Sequence, residues 1–160
     1  MSKHRHPDSI VHEVVVHASP VRAFEIFTTH FADWWPKENT WAKENLDTVV
    51  MEPNQGGRWY ERTDQGQETD WGQVLVWEPP DRIVLSWQIN PDWQPETDPE
   101  RASEVEIRFE PQGPSVTNVI VEHYGFDRHG PEGHKVRDPM TSEGGWPLFL
   151  KRFKELADMP

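Results

Sequence analysis

The sequence contains no cysteine. That excludes a disulfide framework, a thiol nucleophile and any thiolate metal site. Basic residues are scarce as well, 16 Lys and Arg against 28 Asp and Glu, for a formal charge of −12. A nucleic-acid binder needs basic charge to displace counterions from phosphates, so that class is set aside. The same deficit repels anionic membrane surfaces. Long apolar runs are also missing. Val14-Val15-Val16 and Leu148-Phe149-Leu150 are among the longest, far short of a membrane span. The opening Met1-Ser2-Lys3-His4-Arg5-His6-Pro7 is basic, but no apolar stretch of signal-peptide length follows it. A cytoplasmic protein is the expectation.

Hydrophobic residues make up only 34% of the chain and the mean hydropathy is −0.84, values that lean toward disorder. Nine tryptophans argue the opposite. Each buried Trp removes roughly 150–250 Å² from water, so a few of them replace many smaller apolar residues. The 160 residues fit one domain with a real core. The expected organisation is a disordered tail over residues 1–9 and one domain over residues 10–160.

Local patterns give an α+β order. Ile10 to His17 is β-branched and reads as a strand. Ser19 is a good N-cap, and Pro20 at the first helical position loses no needed donor. Phe24, Phe27 and Phe31 then recur at helical spacing, and Asp33-Trp34-Trp35-Pro36 ends that helix. Period-two segments follow at Leu46–Met51, Arg58–Arg62, Gln67–Trp77, Ile83–Ile89, Ser103–Phe109 and Ser115–Tyr124, separated by short Gly, Pro and Asn turns. This is the signature of an antiparallel meander with one wet face. Trp77 falls out of phase with Val74 and Val76. Acidic residues between Asp92 and Glu106 are expected to face water. At the C-terminus, Asp138-Pro139 signals a helix start, and Phe149, Leu150, Phe153, Leu156 and Ala157 form an apolar stripe. Pro147 requires that this helix either kink or begin near Trp146; one kinked helix, weakest at Gly144-Gly145, is the expectation.

Several pieces in this order resemble the helix-grip fold of the START-like (SRPBCC) superfamily, and within it the group related to the activator of Hsp90 ATPase. They are Val15-Val16-His17-Ala18-Ser19-Pro20-Val21-Arg22-Ala23-Phe24, Trp34-Trp35-Pro36, Gly56-Gly57-Arg58-Trp59 and Trp71-Gly72-Gln73-Val74. Glu78-Pro79-Pro80-Asp81-Arg82-Ile83, leading to Leu85-Ser86-Trp87, Thr117 to His123, and Gly145-Trp146 complete the set. Pro147 departs from the family's uninterrupted helix. The resemblance implies a curved antiparallel sheet wrapped around a long C-terminal helix, with a cavity between them for an apolar or aromatic small molecule. It does not imply a reaction, because fold alone does not settle function.

Candidate lining residues follow from the alternation. Leu85 and Trp87 share an inward face, as do Val119, Val121 and His123. Trp59, Trp71, Trp146 and Phe149 are further candidates, since pockets favour rigid aromatic walls with few polar anchors. Trp34, Trp35 and Trp41 are placed near the cavity mouth. Two readings stand for His123: a donor or general base meeting a ligand, or a histidine tied to a backbone carbonyl or carboxylate. Two also stand for Glu61: a carboxylate facing the cavity with Trp59, or one turned outward or paired with Arg58 or Arg62. His129 and His134 lie in a Gly-Pro-rich stretch and are read as a solvated loop, and His4 and His6 as part of the tail. No metal site and no cofactor are assigned. The leading function is binding of a small apolar or aromatic molecule. The rivals are a cyclase- or hydrolase-like enzyme using the same pocket and a protein-interaction module with a protein partner. The oligomeric state, monomer or dimer, stays open.

Overall fold

The computed structural model describes residues 4–160. Seven strands form one antiparallel sheet: β1 (Ile10–Val16), β2 (Leu46–Met51), β3 (Arg58–Thr63), β4 (Glu68–Glu78), β5 (Arg82–Trp87), β6 (Ser103–Gly113) and β7 (Val116–Tyr124). Their spatial order is β1-β7-β6-β5-β4-β3-β2. Six strands thus follow one another as a meander, and β1 closes the far edge beside β7. The sheet curls as a half-barrel of the helix-grip type. Its concave face carries Ile83, Leu85, Val105, Ile107, Phe109, Val119 and Val121, all buried, at the alternate positions that the sequence pattern marks.

Four α-helices accompany the sheet: α1 (Pro20–Thr28), α2 (Phe31–Trp34), α3 (His134–Thr141) and α4 (Trp146–Ala157). The Ser19 hydroxyl accepts from the Arg22 N–H at 3.2 Å, capping α1 as expected. The phenylalanine series is divided, however, with Phe24 and Phe27 on α1 and Phe31 opening α2. Phe27, Phe109, Trp34 and Phe153 then pack edge to face and tilted, with ring centroids 4.9–5.8 Å apart, in the range where aromatic pairs add to simple burial.

The expected single kinked C-terminal helix is two helices. Asp138 and Pro139 lie inside α3 rather than at its start, and the chain breaks over Ser142–Gly145. Pro147 falls within the first two positions of α4, where the missing N–H costs nothing. A Cβ on Gly145 would stand 2.4 Å from the Met140 carbonyl oxygen and 2.5 Å from that of Pro139. Only glycine lets the chain fold back this closely.

Two further departures have local causes. The pairing of β4 with β5 shifts register between Val74 and Val76. This bulge reverses the alternation and brings Trp77 inward against Phe24, ring centroids 5.0 Å apart. Residues 4–9, expected as a disordered tail, lie on the outer face of β6 and β7. The backbone N–H groups of Arg5 and His6 donate to the Glu122 carboxylate at 2.7 and 2.9 Å, and the His6 ring stacks on Tyr124. Under this strap Glu106 is buried rather than water-facing. Glu106 and Glu122 share Arg108, at 2.5 and 3.0 Å, and Arg82 reaches Glu106 at 2.6 Å. Met1–Lys3 of the expected tail lie outside the described residues.

Candidate functional site

A cavity of about 370 Å³ opens where the α3–α4 break faces β3, β4 and β5. Trp71 and Trp87 from the sheet, Phe149 from α4 and Trp35 from the end of α2 form its deep walls. Trp41 and Ile89 come from connecting segments, Met140 from the end of α3, and Gly144 and Gly145 from the helix break. Trp93 is 38% exposed and stands at the rim. The Trp41 indole N–H donates to the Trp93 carbonyl at 2.8 Å, which ties together the two loops that border the opening. The aromatic wall is continuous: Trp35 lies 4.2 Å from Phe149 and 5.2 Å from Trp71 between ring centroids.

Glu61 is the acidic group buried in this wall, 2% exposed. Its Oε1 accepts from the Trp41 backbone N–H at 2.9 Å and the Trp71 indole at 3.0 Å, and its Oε2 from the Ala42 N–H at 2.7 Å. The arginines beside it on β3 turn elsewhere, Arg58 to Asp70 and Glu68 and Arg62 to Asp47. Of the two readings of Glu61, the structure therefore places it on the cavity and without an arginine partner. Trp87 supplies the second polar feature. Its indole N–H is buried and has no hydrogen-bond partner, an exception among buried donors.

Of the ten candidate lining residues, Glu61, Trp71, Trp87 and Phe149 border the cavity. Trp59, Leu85, Val119, Val121, His123 and Trp146 do not; they fill the adjoining core, each at most 1% exposed. For the two tryptophans the reason is the length of the indole. The Trp59 ring crosses under Gly72 to donate to the Ser86 carbonyl at 2.9 Å, and Trp146 donates to His123 Nδ1 at 3.2 Å. Both side chains are consumed by internal bonds.

His123 is tied to neither a carbonyl nor a carboxylate, and it does not reach the cavity. An indole can only donate, so His123 Nδ1 accepts and its proton is assigned to Nε2. That N–H meets Ser103 Oγ at 2.9 Å, and the Ser103 hydroxyl in turn meets His129 Nε2 at 2.8 Å. His129, expected in a solvated loop, is thus buried at 2% exposure. His134 does start α3 at the surface.

Burial, and secondarily repulsion from His129, holds the His123 imidazole well below its ordinary range, and burial lowers His129 and His12 too. Folded-state values below an unfolded value of about 6.5 mean that the unfolded chain binds more protons as the solution is acidified. This contribution to stability is complete above about pH 6.5 and is lost as pH falls through that value, by up to about 1.4 kcal/mol per pH unit for each histidine. Urea midpoints should therefore drop between about pH 7 and pH 5.5, and drop less in His129→Gln. A flat midpoint over that window would contradict the buried neutral pair.

Cavity residues beyond the ten candidates include Trp35, Trp41, Trp93, Ile89 and Met140. Trp41 borders the opening, where a mouth position was expected, whereas Trp35 lies deeper in the wall and Trp34 packs inward with its indole on the Ile26 carbonyl at 3.1 Å. Trp93 lies in a loop where no periodicity reports orientation, its one available signal being a large aromatic in a Pro-rich segment; Met140 sits near the end of α3, beside the break. Among the described residues His6, Glu106 and Glu122 could offer metal ligands within 4.8 Å of one another, but Arg82 and Arg108 already neutralise the two carboxylates.

Among the described residues no helix is long and apolar enough to cross a membrane. No curated protein matches the chain. Among solved structures, the anthrahydroquino-γ-pyrone synthase Txn09 complexed with SUM is 37% identical, covering 92% of this chain and 96% of that one, with a TM-score of 0.65. The self-sacrificing resistance protein CalC from Micromonospora echinospora is 33% identical over 94% of both chains, with a TM-score of 0.68. The protein MLL2253 from Mesorhizobium loti, 21% identical with a TM-score of 0.64, shares the fold. The model of the activator of Hsp90 ATPase homolog 1-like protein family matches residues 17–158, and with the SRPBCC ligand-binding fold around it, the chain belongs to that family.

Proposed function

We propose that the protein binds a planar aromatic small molecule in the cavity beneath the α3–α4 break. The observation that carries this reading is the wall itself: five tryptophans and Phe149 around about 370 Å³, with one buried carboxylate. Pockets of this size with aromatic walls and few polar groups are the usual form of small-molecule sites. Rigid indoles lose little rotamer freedom when a ring stacks on them. The printed name of the 37% identical relative, a synthase of an anthrahydroquino-γ-pyrone, supports a fused-ring ligand. Enzymatic use of His123 as a base lacks a geometric support, because both its ring nitrogens are engaged inside the core. Titration of the purified protein with anthraquinone tests the reading. Saturable quenching of tryptophan fluorescence together with a raised melting temperature is expected, since a ligand that binds only the folded state stabilises it. No quenching and no thermal shift across a panel of two- to four-ring aromatics would overturn it.

A further inference from the structure

Two residues of the cavity wall, Glu61 and Trp87, carry unused hydrogen-bonding capacity of opposite sense. A carboxylate has about four acceptor positions, two on each oxygen. In Glu61 both on Oε1 are taken, by the Trp41 N–H and the Trp71 indole, and one on Oε2 is taken by the Ala42 N–H. One acceptor position on Oε2 is left. The Trp71 bond and the two bonds from the backbone fix the carboxylate, so this position is held in place before any ligand arrives. Trp87, on the same wall, contributes the converse group, a buried indole N–H with no partner. An orphaned buried donor costs about 1–3 kcal/mol, and a ligand acceptor would recover that cost.

We infer that the ligand is a hydroxylated aromatic ketone or quinone, with a ring hydroxyl donating to Glu61 and a carbonyl accepting from Trp87. This rests on the aromatic-ligand reading above and narrows it to a class. Glu61 disfavours an anion at its position, so the hydroxyl enters with its proton. An ether in its place brings an acceptor against an acceptor and leaves the Glu61 position unfilled, a mismatch of the kind that discriminates strongly in buried sites.

Three probes test this on the intact protein by calorimetric titration, in mildly acidic buffer that keeps the phenol protonated: anthraquinone, 2-hydroxyanthraquinone and 2-methoxyanthraquinone. The hydroxy compound is expected to bind at least about tenfold more tightly than the methoxy compound. Glu61→Gln should shrink that ratio, because an amide that turns its NH₂ toward Oε2's position loses the acceptor there. Trp87→Phe should weaken anthraquinone itself by about fivefold or more, through loss of the carbonyl's donor. If all three probes bind the wild-type protein with equal affinity, the aromatic reading stands and the polar pairing is wrong. If none binds, the aromatic reading fails and takes the pairing with it. The comparison in the wild-type protein decides the matter even if a variant does not fold.

Discussion

Gly72→Ala is expected to prevent folding. A Cβ built on Gly72 would lie 1.9 Å from the Ser86 carbonyl oxygen and 2.4 Å from Trp59 Nε1. Neither obstacle can yield cheaply. Ser86 is backbone of β5, and the indole is held by its own bond to that same carbonyl at 2.9 Å. Making room means separating β4 from β5 and moving Trp59, which packs against Trp71 and Trp87 with ring centroids 5.3 and 5.8 Å apart. Overpacking of an adaptable core costs about 1–3 kcal/mol; a clash with fixed backbone belongs to the exceptional class above about 4 kcal/mol. Against a total stability of about 5–15 kcal/mol, the variant should be insoluble or should lack near-ultraviolet circular dichroism and melt without cooperativity. Trp59→Phe should not rescue it, because the carbonyl is the nearer obstacle. A Gly72→Ala protein that melts within a few degrees of wild type would show that the Trp59–Ser86 crossing is misplaced.

Arg108→Ala is expected to cost about 3–5 kcal/mol, the range for removing one partner of a buried ion pair. Arg108 is 5% exposed and lies between Glu106 and Glu122, themselves 3% and 0% exposed. The two acids do not suffer equally. Glu106 keeps Arg82 at 2.6 Å, whereas Glu122 retains, among the described residues, neutral partners: the N–H groups of Arg5 and His6 and the Ser9 hydroxyl. Burial pushes the Glu122 carboxyl up, but these bonds together with Arg108 hold it below the usual carboxylate range. Taking Arg108 away removes the one full charge in that set. Adding Glu122→Gln to Arg108→Ala should recover much of the loss, since the amide still accepts from residues 5 and 6 and carries no charge. Urea unfolding of the single and double variants checks this. A single variant within 1 kcal/mol of wild type would mean that water reaches the pair, contrary to its burial.

These two sites also show what the sequence can and cannot report. The meander was legible because apolar residues recur at alternate positions along its strands. Ile83, Leu85 and Trp87 form the apolar inward set of β5, although Val84 and Ser86 between them are buried too, and Ser19-Pro20 announces α1 through caps that act over three residues. Glu106 and Arg108 were not legible as buried. Their face is covered by residues 5 and 6, more than 115 positions from Glu122 in the chain, and alternation says only that a face differs, not that it is wet. Trp77 was obscured by the bulge near Val76, which no residue type announces. At the candidate site the sheet contributed what periodicity can identify, Glu61, Trp71 and Trp87. Trp59 and His123 share the inward faces and were indistinguishable from lining residues, because alternation gives direction and not depth. Trp41 and Trp93 come from irregular segments, where side-chain direction is set by contacts between loops, and Met140 lies in the last turn of α3, next to the break. The Ser142–Gly145 break, which opens the cavity, is hinted at by Gly144-Gly145 and Pro147, yet a kink and a full interruption leave the same trace in sequence.

The most direct test of the account is a proton–nitrogen correlation spectrum of the tryptophan indoles, recorded while anthraquinone is added. The nine resonances divide into five on the cavity, Trp35, Trp41, Trp71, Trp87 and Trp93, and four off it, Trp34, Trp59, Trp77 and Trp146. The largest shifts should fall on the first five, with Trp87, the unpartnered donor, moving downfield as it gains an acceptor, and with Trp34 and Trp77 unmoved. A spectrum that does not change, or one in which Trp34 and Trp77 move as far as Trp71 and Trp87, would contradict a ligand site in this cavity.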